Sequence, residues 1–358
     1  MDTTNKAIIQ VERAISDLKR SVPVIIVSGT NAILILAAEN CSKNQIKSLI
    51  KSTGSKARLV LSSNRIKNLF KKSINTSLAT IELNNELLNY IDILSGADLS
   101  TSKLPAISEK TIKAASKLDQ PAVELLKISE LLPACIAFTL PKNYSDIAFY
   151  LTIKPLEINQ FQDLTAQTLK EICRTPLVLE NAKKSEIVAF RSAGGREHYA
   201  IIIGKPGTLP LVRIHSSCYT GDLLASLSCD CRDQLHEAIK LMGKSGGGII
   251  LYMMQEGRGI GLINKLRAYA LKNRGFDTVD ANEILGFDHD ERLFKPAAEI
   301  LKKLKIRTIN LLTNNPRKAK GLKEFGIKVN SCVPHIVGSN IHNKKYLKSK
   351  KERLGHIL

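Results

Sequence analysis

Residues 246–272 read GGGIILYMMQEGRGIGLINKLRAYALK and contain a strand, a loop and a helix in succession. The short apolar run at 249–253 follows three glycines, which predicts a buried strand. Residues 262–272 have the apolar spacing of a helix, and Gly275 follows as a stop signal. A buried strand that leads through a glycine-rich loop into a helix indicates an α/β domain.

The same alternation of strands and helices continues on both sides of this stretch. A chain of 358 residues with 44% hydrophobic content can bury two separate cores, so we predict two α/β domains, at residues 1–165 and 166–358. In the second domain we predict strands at 200–203, 211–214 and 307–312 and a helix at 233–242. In the first we predict strands at 22–27 and 32–36, helices at 82–94 and 123–132, and a connecting helix at 160–173.

The chain shows no cationic start followed by an apolar segment and a cleavage site, and no apolar run of about 18 residues that would span a bilayer. We therefore expect a soluble cytoplasmic protein without a membrane partner. The net charge of +20 invites a nucleic-acid interpretation, but the lysines are spread along the chain and aromatic residues make up only 5%. We expect most lysines to be solvated, a minority to serve an anionic substrate, and no nucleic acid to bind.

Three of the seven cysteines lie close together in sequence, at Cys218, Cys229 and Cys231. Cysteines of a cytoplasmic protein are reduced, and thiolates are ligands that zinc prefers. Three protein ligands leave one position open for a water whose pKa zinc lowers towards about 7, as in catalytic sites. Two alternatives remain open: three buried core cysteines, or a four-ligand site completed by a distant residue. The acidic Asp230 argues against an apolar setting.

Several loops carry residues that suit a phosphate group. The loop 255–261 follows the strand at 249–253; its glycines let backbone N–H groups approach an anion, and Arg258 can add a bidentate contact. Arg213 and the hydroxyl residues after it follow another predicted strand. Residues 288–292 and 314–318 are charged turns that suit a phosphate rim. Each of these loops, considered alone, is also typical of an ordinary surface turn.

In their order along the chain, these motifs resemble the GTP cyclohydrolase II family over about residues 174–358. The resemblance is carried by RIHSSCYTGD at 213–222, SCDC at 228–231, QEGR at 255–258 and IGLINKLRAYAL at 260–271. It continues with DTVDAN at 277–282, LGF at 285–287, DER at 290–292 and LLTNNP at 311–316. The second domain is therefore expected to have the fold of that family.

The resemblance implies an enzyme that opens the guanine imidazole ring of GTP by hydrolysis, the first step of riboflavin biosynthesis. The products would be formate, pyrophosphate and 2,5-diamino-6-(5-phospho-ribosylamino)pyrimidin-4-one. It also implies one zinc ion per chain on the three cysteines, magnesium with the triphosphate, and a homodimer. Asp290 is implied as the proton acceptor, Arg292 as the residue that attacks the α-phosphate, and Tyr269 as a neighbour of the reacting ring. The implied GTP contacts are Arg213, Ile214, His215, Ser216, Ser217, Gln234, Glu256, Gly257, Arg258, Thr278, Thr313 and Lys318.

Two residues depart from the family pattern. Ser217 stands where many members have glutamate, and Arg232 replaces an expected glycine directly after the last cysteine. A glycine there would hold a positive φ that a side chain disfavours by about 1 kcal/mol, so Arg232 predicts reduced activity. This leaves open a catalytically impaired homologue that binds guanine nucleotides in a regulatory role. A zinc-containing nucleic-acid-binding protein is a third hypothesis, motivated by the net charge.

The first half resembles a degenerate 3,4-dihydroxy-2-butanone 4-phosphate synthase, the domain fused to this cyclohydrolase in bifunctional riboflavin enzymes. The resemblance is carried by VERAISDLK at 11–19, AAE at 37–39 and AVELLKISELLPA at 122–134. That enzyme binds magnesium with an acidic loop, where this chain has VSGTNAIL at 27–34, and with a histidine, where it has DQP at 119–121. Because hard divalent cations need carboxylate oxygens, the first half is expected to be structural or regulatory.

Overall fold

The structure, a computed structural model, describes residues 3–71, 74–100, 104–105, 107, 111–142, 144, 148–337, 352–353 and 355. The chain divides into two compact units, Met1–Gln162 with Ile263–Glu291, and Asp163–Leu262 with Arg292–Leu358. Each unit contains helices and a seven-stranded sheet, which confirms the predicted α/β class. The domain boundary at 165/166 stays a prediction. The compact units are not continuous in sequence, because the later segment Ile263–Glu291 packs into the first unit.

The first unit is built on a largely antiparallel sheet. The elements are α1 Thr3–Lys19, β1 Val24–Ser28, β2 Asn31–Ala37, α2 Lys43–Thr53, β3 Arg58–Ser62, α3 Ser63–Phe70, β4 Leu78–Glu82, α4 Ile91–Ser95, β5 Ile112–Ala114, α5 Asp119–Ile128, β6 Ala134–Thr139, β7 Leu151–Ile153 and α6 Pro155–Gln167. Among the described strands the order is β5-β4-β3-β6-β2-β1-β7, and β1 pairs in parallel with β7. The apolar runs of β1 and β2 are mostly buried.

From Lys170 onward the elements are β8 Lys170–Pro176, β9 Ser185–Arg191, β10 Glu197–Gly204, β11 Leu211–Ser216, α7 Cys231–Lys244, β12 Gly247–Met253, α8 Leu262–Lys272, α9 Thr278–Leu285, α10 Lys295–Lys303, β13 Thr308–Leu312, α11 Pro316–Glu324 and β14 Lys328–Val333. Apart from the first residue of α8, the helices α8 and α9 belong to the first unit. The second unit has a mixed sheet, and among its described strands the order is β14-β13-β11-β12-β10-β9-β8.

Four neighbouring strands of the second sheet, β14, β13, β11 and β12, run parallel. Val212, Ile214, Leu251 and Leu311 from these strands are buried in one apolar core that also includes residues of α10. The carboxyl ends of parallel strands meet at the same edge of a sheet. The loops that follow β11, β12, β13 and β14 therefore lie at one edge, and five of the twelve residues predicted to bind GTP lie in them: Ser217, Glu256, Gly257, Arg258 and Thr313.

The strands predicted at 200–203, 211–214 and 249–253 lie within β10, β11 and β12, but three predicted helices are wrong in extent. The helix predicted at 123–132 is α5, which runs from Asp119 to Ile128. Within the range 82–94, the strand β4 ends at Glu82 and helical structure starts only at Leu87–Tyr90. The Asn84 side chain accepts a hydrogen bond from the Leu87 N–H at the start of this helical turn. The helix predicted at 160–173 ends at Gln167, because residues from Lys170 onward pair with β9. Pairing with another strand overrides local spacing there. No helix among the described residues is long and apolar enough to cross a bilayer.

Candidate functional site

The three cysteines predicted to bind zinc come together in the second unit. Cys218 follows β11, and Cys229 and Cys231 lie at the start of α7. Their sulfur atoms lie within 4.8 Å of one another, and the sulfurs of Cys218 and Cys229 are 3.7 Å apart. Tetrahedral ligands at the usual zinc–sulfur distance of about 2.3 Å would place sulfurs about 3.8 Å apart. The spacing and the chemistry of these donors therefore fit a zinc ion.

Gly221 lets the loop after Cys218 fold closely around the sulfurs. The loop forms a π-helical turn at Tyr219–Leu223, and the Gly221 N–H donates to the Cys218 sulfur over 3.3 Å. A β-carbon at position 221 would lie 2.7 Å from the Cys229 sulfur and 2.9 Å from the Cys218 sulfur. These distances are too short for a real side chain, so the cluster requires glycine at this position.

We expect Gly221→Ala to weaken zinc binding by about 10-fold or more, because the added methyl group must displace two of the three sulfurs. The measurement is zinc retention by the full chain in competition with a chelator. Gly207→Ala is the matched control, since nothing lies within 4 Å of the β-carbon that it adds. Equal zinc retention in the two variants would contradict a functional role for the close approach at Gly221.

A buried polar cluster holds this loop against the sheet. Asp222 accepts hydrogen bonds from the Cys218 N–H over 3.0 Å and from the Tyr252 hydroxyl over 2.8 Å, and its carboxylate lies 3.2 Å from His215 Nε2. Burial lowers the pKa of His215 and outweighs the opposing effect of Asp222, so the ring is neutral near pH 7. These contacts of Asp222 hold Cys218, the first of the predicted zinc ligands, next to β11 and β12.

Neighbouring thiols raise the pKa of two of these cysteines, because Cys218 acts on Cys229 and both Cys218 and Cys229 act on Cys231. The pKa of Cys231 is well above its ordinary value, mainly because of its hydrogen bonds with Cys218 and Cys229 and then because of burial. Thiolates packed this closely repel one another, and a bound dication removes that repulsion. The electrostatics of the cluster therefore favour a cation at its centre.

Arg213 is the central residue of a second polar cluster in the same unit. It is 4% exposed; one of its Nη atoms donates to Gln234 Oε1 over 2.6 Å, and Gln234 Nε2 donates to Asp230 over 2.6 Å. Burial lowers the pKa of Arg213 to about 10, an effect that Asp230 opposes. Its Nε is buried and has no hydrogen-bond partner among the described residues. An unpaired buried N–H is costly, so this atom is suited to donate to a ligand oxygen.

Two further predicted GTP contacts, Thr313 and Lys318, lie after β13. Thr313 Oγ1 accepts from the Asn315 N–H, and Asn315 caps α11 by accepting from the Arg317 N–H, each over 3.0 Å. Lys318 Nζ donates to the carbonyl oxygen of Ile214 over 2.6 Å, across 104 positions of sequence. The structure thus brings the loops after β11 and β13 together.

His335, which was not predicted as a site residue, belongs to the polar cluster around Arg213. Its backbone exchanges two hydrogen bonds of 2.7 Å with the Asn314 side chain, and its Nε2 donates to the Gln234 carbonyl oxygen over 2.7 Å. Burial, followed by the nearby Arg213 charge, lowers the pKa of His335 to about 4. No sequence motif signalled this residue, because its partner Gln234 is 101 positions away.

The loop after β12 has an unusual backbone at a predicted phosphate contact. Gly257 and Arg258 are both left-handed, with φ of 62° and 64°. This conformation costs about 1 kcal/mol or more for arginine, and such strain tends to occur at functional sites. The Glu256 carboxylate accepts from the Tyr219 N–H over 2.6 Å, which links this loop to the one that carries Cys218.

Gln255 and Asp222 were missed as site residues, although both lie inside motifs that carried the family resemblance. Gln255 Oε1 accepts from the Leu293 N–H over 3.1 Å, and its Nε2 donates to the Ser216 hydroxyl over 3.4 Å. It therefore connects the end of β11 to the residue that follows Arg292. Their position within motifs that resemble the family was the available signal, but the contacts themselves depend on the fold.

Tyr269, Thr278 and Asp290 lie in the first unit, so the structure does not place them in the same unit as the cysteines. The Tyr269 ring is 5.7 Å from the ammonium group of Lys265 and 5.2 Å from that of Lys272. The Thr278 hydroxyl is buried without a hydrogen-bond partner among the described residues. Arg292 is half-buried and begins the returning part of the second unit.

The prediction of backbone strain at Arg232 is wrong. Arg232 is exposed, lies in the first turn of α7 and is not among the described residues with positive φ. A helical backbone accommodates arginine better than glycine, by about 1 kcal/mol. Ser217, the other departure, is buried, and its N–H donates to the carbonyl oxygen of Met253 over 2.8 Å.

A family profile described as GTP cyclohydrolase II matches residues 170–334. "GTP cyclohydrolase-2" of Azospirillum brasilense is 37% identical over 360 residues, which cover 97% of this chain and 93% of that protein. "Riboflavin biosynthesis protein RibBA" of Endomicrobium trichonymphae is 40% identical over 252 residues, 66% of this chain and 62% of its own length. "GTP cyclohydrolase-2" of Neisseria meningitidis serogroup A is 51% identical over 171 residues, which cover 47% of this chain and 87% of that protein.

Proposed function

Because the chain belongs to the GTP cyclohydrolase II family of riboflavin biosynthesis enzymes, we propose that it opens the imidazole ring of GTP by hydrolysis and releases formate and pyrophosphate. The remaining product is 2,5-diamino-6-(5-phospho-ribosylamino)pyrimidin-4-one. The observation that carries the proposal is the cluster of three cysteine sulfurs within 4.8 Å. It lies at the carboxyl edge of the parallel strands, in the unit that also holds the buried Arg213.

Cys218, Cys229 and Cys231 are the residues that would hold zinc. Bound there, zinc supplies a Lewis acid that makes water nucleophilic near neutral pH. The chain itself contributes the position of the ligands: Asp222 accepts the Cys218 N–H, and Gly221 donates its N–H to the Cys218 sulfur. Such hydrogen bonds orient metal ligands and tune their charge.

Arg213, Arg258 and Lys318 are the proposed cationic contacts of GTP. The Arg213 Nε is buried and oriented by the bond of its Nη to Gln234, so it can donate to a phosphate or carbonyl oxygen without reorganisation. Lys318 lies in the first turn of α11, where the N-terminal N–H groups also favour a phosphate. The remaining proposed contacts are Ile214, His215, Ser216, Ser217, Gln234, Glu256, Gly257, Thr278 and Thr313, and magnesium accompanies the triphosphate.

Asp290 is the proposed proton acceptor, Arg292 the group that acts on the α-phosphate, and Tyr269 a neighbour of the reacting ring. We also propose a cytoplasmic homodimer, whose mass in solution is measurable by light scattering. A catalytically impaired guanine-nucleotide-binding homologue was favoured by Arg232 and by the eroded first half, and the helical backbone at Arg232 removes the first of these two reasons.

Incubation of the purified full chain with GTP, zinc and magnesium tests the proposal. Formate and pyrophosphate are assayed separately, and we expect equal amounts of both, with formate dependent on zinc. A protein that contains zinc and binds GTP but releases no formate would instead be a nucleotide-binding homologue. Strong, salt-dependent binding of RNA without any GTP turnover would favour the nucleic-acid alternative.

We expect no synthesis of 3,4-dihydroxy-2-butanone 4-phosphate by the first unit. The turn between β1 and β2 carries no carboxylate, and the Glu39 carboxylate accepts hydrogen bonds from the Leu132 N–H and from Arg267. This leaves no set of carboxylates suited to magnesium in that turn. The measurement is product formation from ribulose 5-phosphate by the full chain with magnesium. Product above a no-enzyme blank would contradict the expectation.

A further inference from the structure

The first unit contains an internal segment, Ile263–Glu291, that lies far along the chain from the rest of the unit. We call it the inserted segment. It carries α8 and α9 together with Tyr269, Thr278 and Asp290, three residues to which the proposed function gives roles. The contacts that hold it therefore bear directly on the reaction.

Arg65 of α3 anchors the end of α9. Its side chain is buried and donates from Nε to the Leu94 carbonyl oxygen over 3.0 Å and from Nη1 to the Ile284 carbonyl oxygen over 2.7 Å. Gly286, directly after α9, has a φ of 92°, and a β-carbon there would lie 3.0 Å from the Ser62 hydroxyl. The backbone at the end of α9 is thus held closely against the start of α3.

Two more side chains hold α8. Asn264 is fully buried and donates to the carbonyl oxygen of Glu130 over 2.9 Å. Arg267 donates to the Glu39 carboxylate, which also accepts the Leu132 N–H over 2.7 Å. Glu39 belongs to a motif that carried the resemblance to a synthase, and here its carboxylate binds the inserted segment.

Lys127 of α5 contacts residues on either side of Asp290 in sequence. Its ammonium group lies 2.7 Å from the Asp288 carboxylate and 2.8 Å from the Glu291 carboxylate, so it bridges residues on both sides of Asp290. Lys127 and Glu291 are mostly buried, with side-chain exposures of 17% and 19%. Burial acts to lower the pKa of Lys127, but Glu291 and Asp288 outweigh it and the pKa is raised. The Asp288 side chain is 70% exposed, so the more buried contact with Glu291 is the stronger part of this bridge.

We propose that the first half of the chain is a positioning scaffold for the inserted segment, and that Lys127 is the positioning residue that sets the backbone around Asp290. The inference rests on the proposed function, because it takes the role of Asp290 from there.

Lys127→Gln in the full chain tests the proposal, with Lys51→Gln as the matched control. Lys51 is an exposed lysine near the end of α2 in the same unit, so both variants remove one charge. We expect Lys127→Gln to lower kcat for formate release by about 10-fold to 100-fold, the scale of a misplaced catalytic group. KM for GTP and zinc content should stay within about 2-fold of wild type, and Lys127→Arg should restore most of kcat.

Comparison with the double variant separates positioning from general loss of stability. If Lys127 acts through Glu291, the kcat of Lys127→Gln/Glu291→Gln will be close to that of Lys127→Gln alone. The melting temperature of each variant is measured in parallel. A Lys127→Gln protein with the kcat of Lys51→Gln overturns the inference, as does a loss of kcat that Lys127→Arg does not relieve. A wild-type chain that releases no formate would instead refute the proposed function.

Discussion

Replacement of Cys229 with serine is expected to remove zinc from the protein and to reduce formate release by about 1,000-fold or more, because metal activation of water contributes several kcal/mol to such reactions. Cys229 is buried, and its sulfur lies 3.7 Å from that of Cys218. A neutral hydroxyl is a poor substitute for a thiolate ligand. Two remaining sulfurs cannot hold the ion at the same affinity.

The matched control for this variant is Cys332→Ser. Cys332 is an exposed free cysteine in β14 of the same unit, and it is not part of the cluster. Zinc is measured by atomic absorption after exhaustive dialysis, and formate by an enzyme-coupled assay. We expect Cys332→Ser to retain both zinc and activity. Full zinc occupancy in a folded Cys229→Ser protein would contradict the assignment of the metal site.

Arg292→Ala is expected to slow pyrophosphate release by about 100-fold or more, the scale for loss of a positioned charge at a transition state. The Leu293 N–H donates to Gln255 Oε1, and Gln255 also donates to Ser216 at the end of β11. The backbone beside Arg292 is thereby fixed to the strand that leads to Cys218. Zinc should remain bound, because Arg292 is not one of the clustered ligands.

Arg292→Lys distinguishes two roles for this residue. A guanidinium has a pKa above about 12 and is a poor nucleophile, whereas an amine loses its proton more readily. If Arg292 attacks phosphorus, Arg292→Lys should retain some turnover through a phosphoramidate. If it is a planar two-point clamp, lysine loses the geometry and both variants should be slow.

Arg307→Ala is the control for the Arg292 variants, since Arg307 is an exposed arginine in the same unit. The measurements are pyrophosphate release, formate release and zinc content of the folded proteins. Normal pyrophosphate release from a zinc-loaded Arg292→Ala protein would exclude both roles. Residues 288–292 would then be interpreted as a solvated charged loop.

The sequence alone was sufficient to predict those features that depend on residues close together in the chain. The spacing of Cys218, Cys229 and Cys231 predicted a cluster, and the structure brings their sulfurs within 4.8 Å. The strand at 249–253 and the loop after it were likewise predicted correctly, because apolar runs and glycines act over a few residues. The α/β class of both units follows from the same local alternation.

Only the tertiary structure decided which distant residues support these motifs. The bond of His335 to the Gln234 carbonyl oxygen spans 101 positions, and the bridge from Lys127 to Asp288 spans 161. The same holds for the residues from Lys170 onward, which pair with β9 instead of continuing a helix. The periodicity of apolar residues predicts which face of a helix or strand is buried. It does not predict which element covers that face, because that depends on the packing of the whole chain.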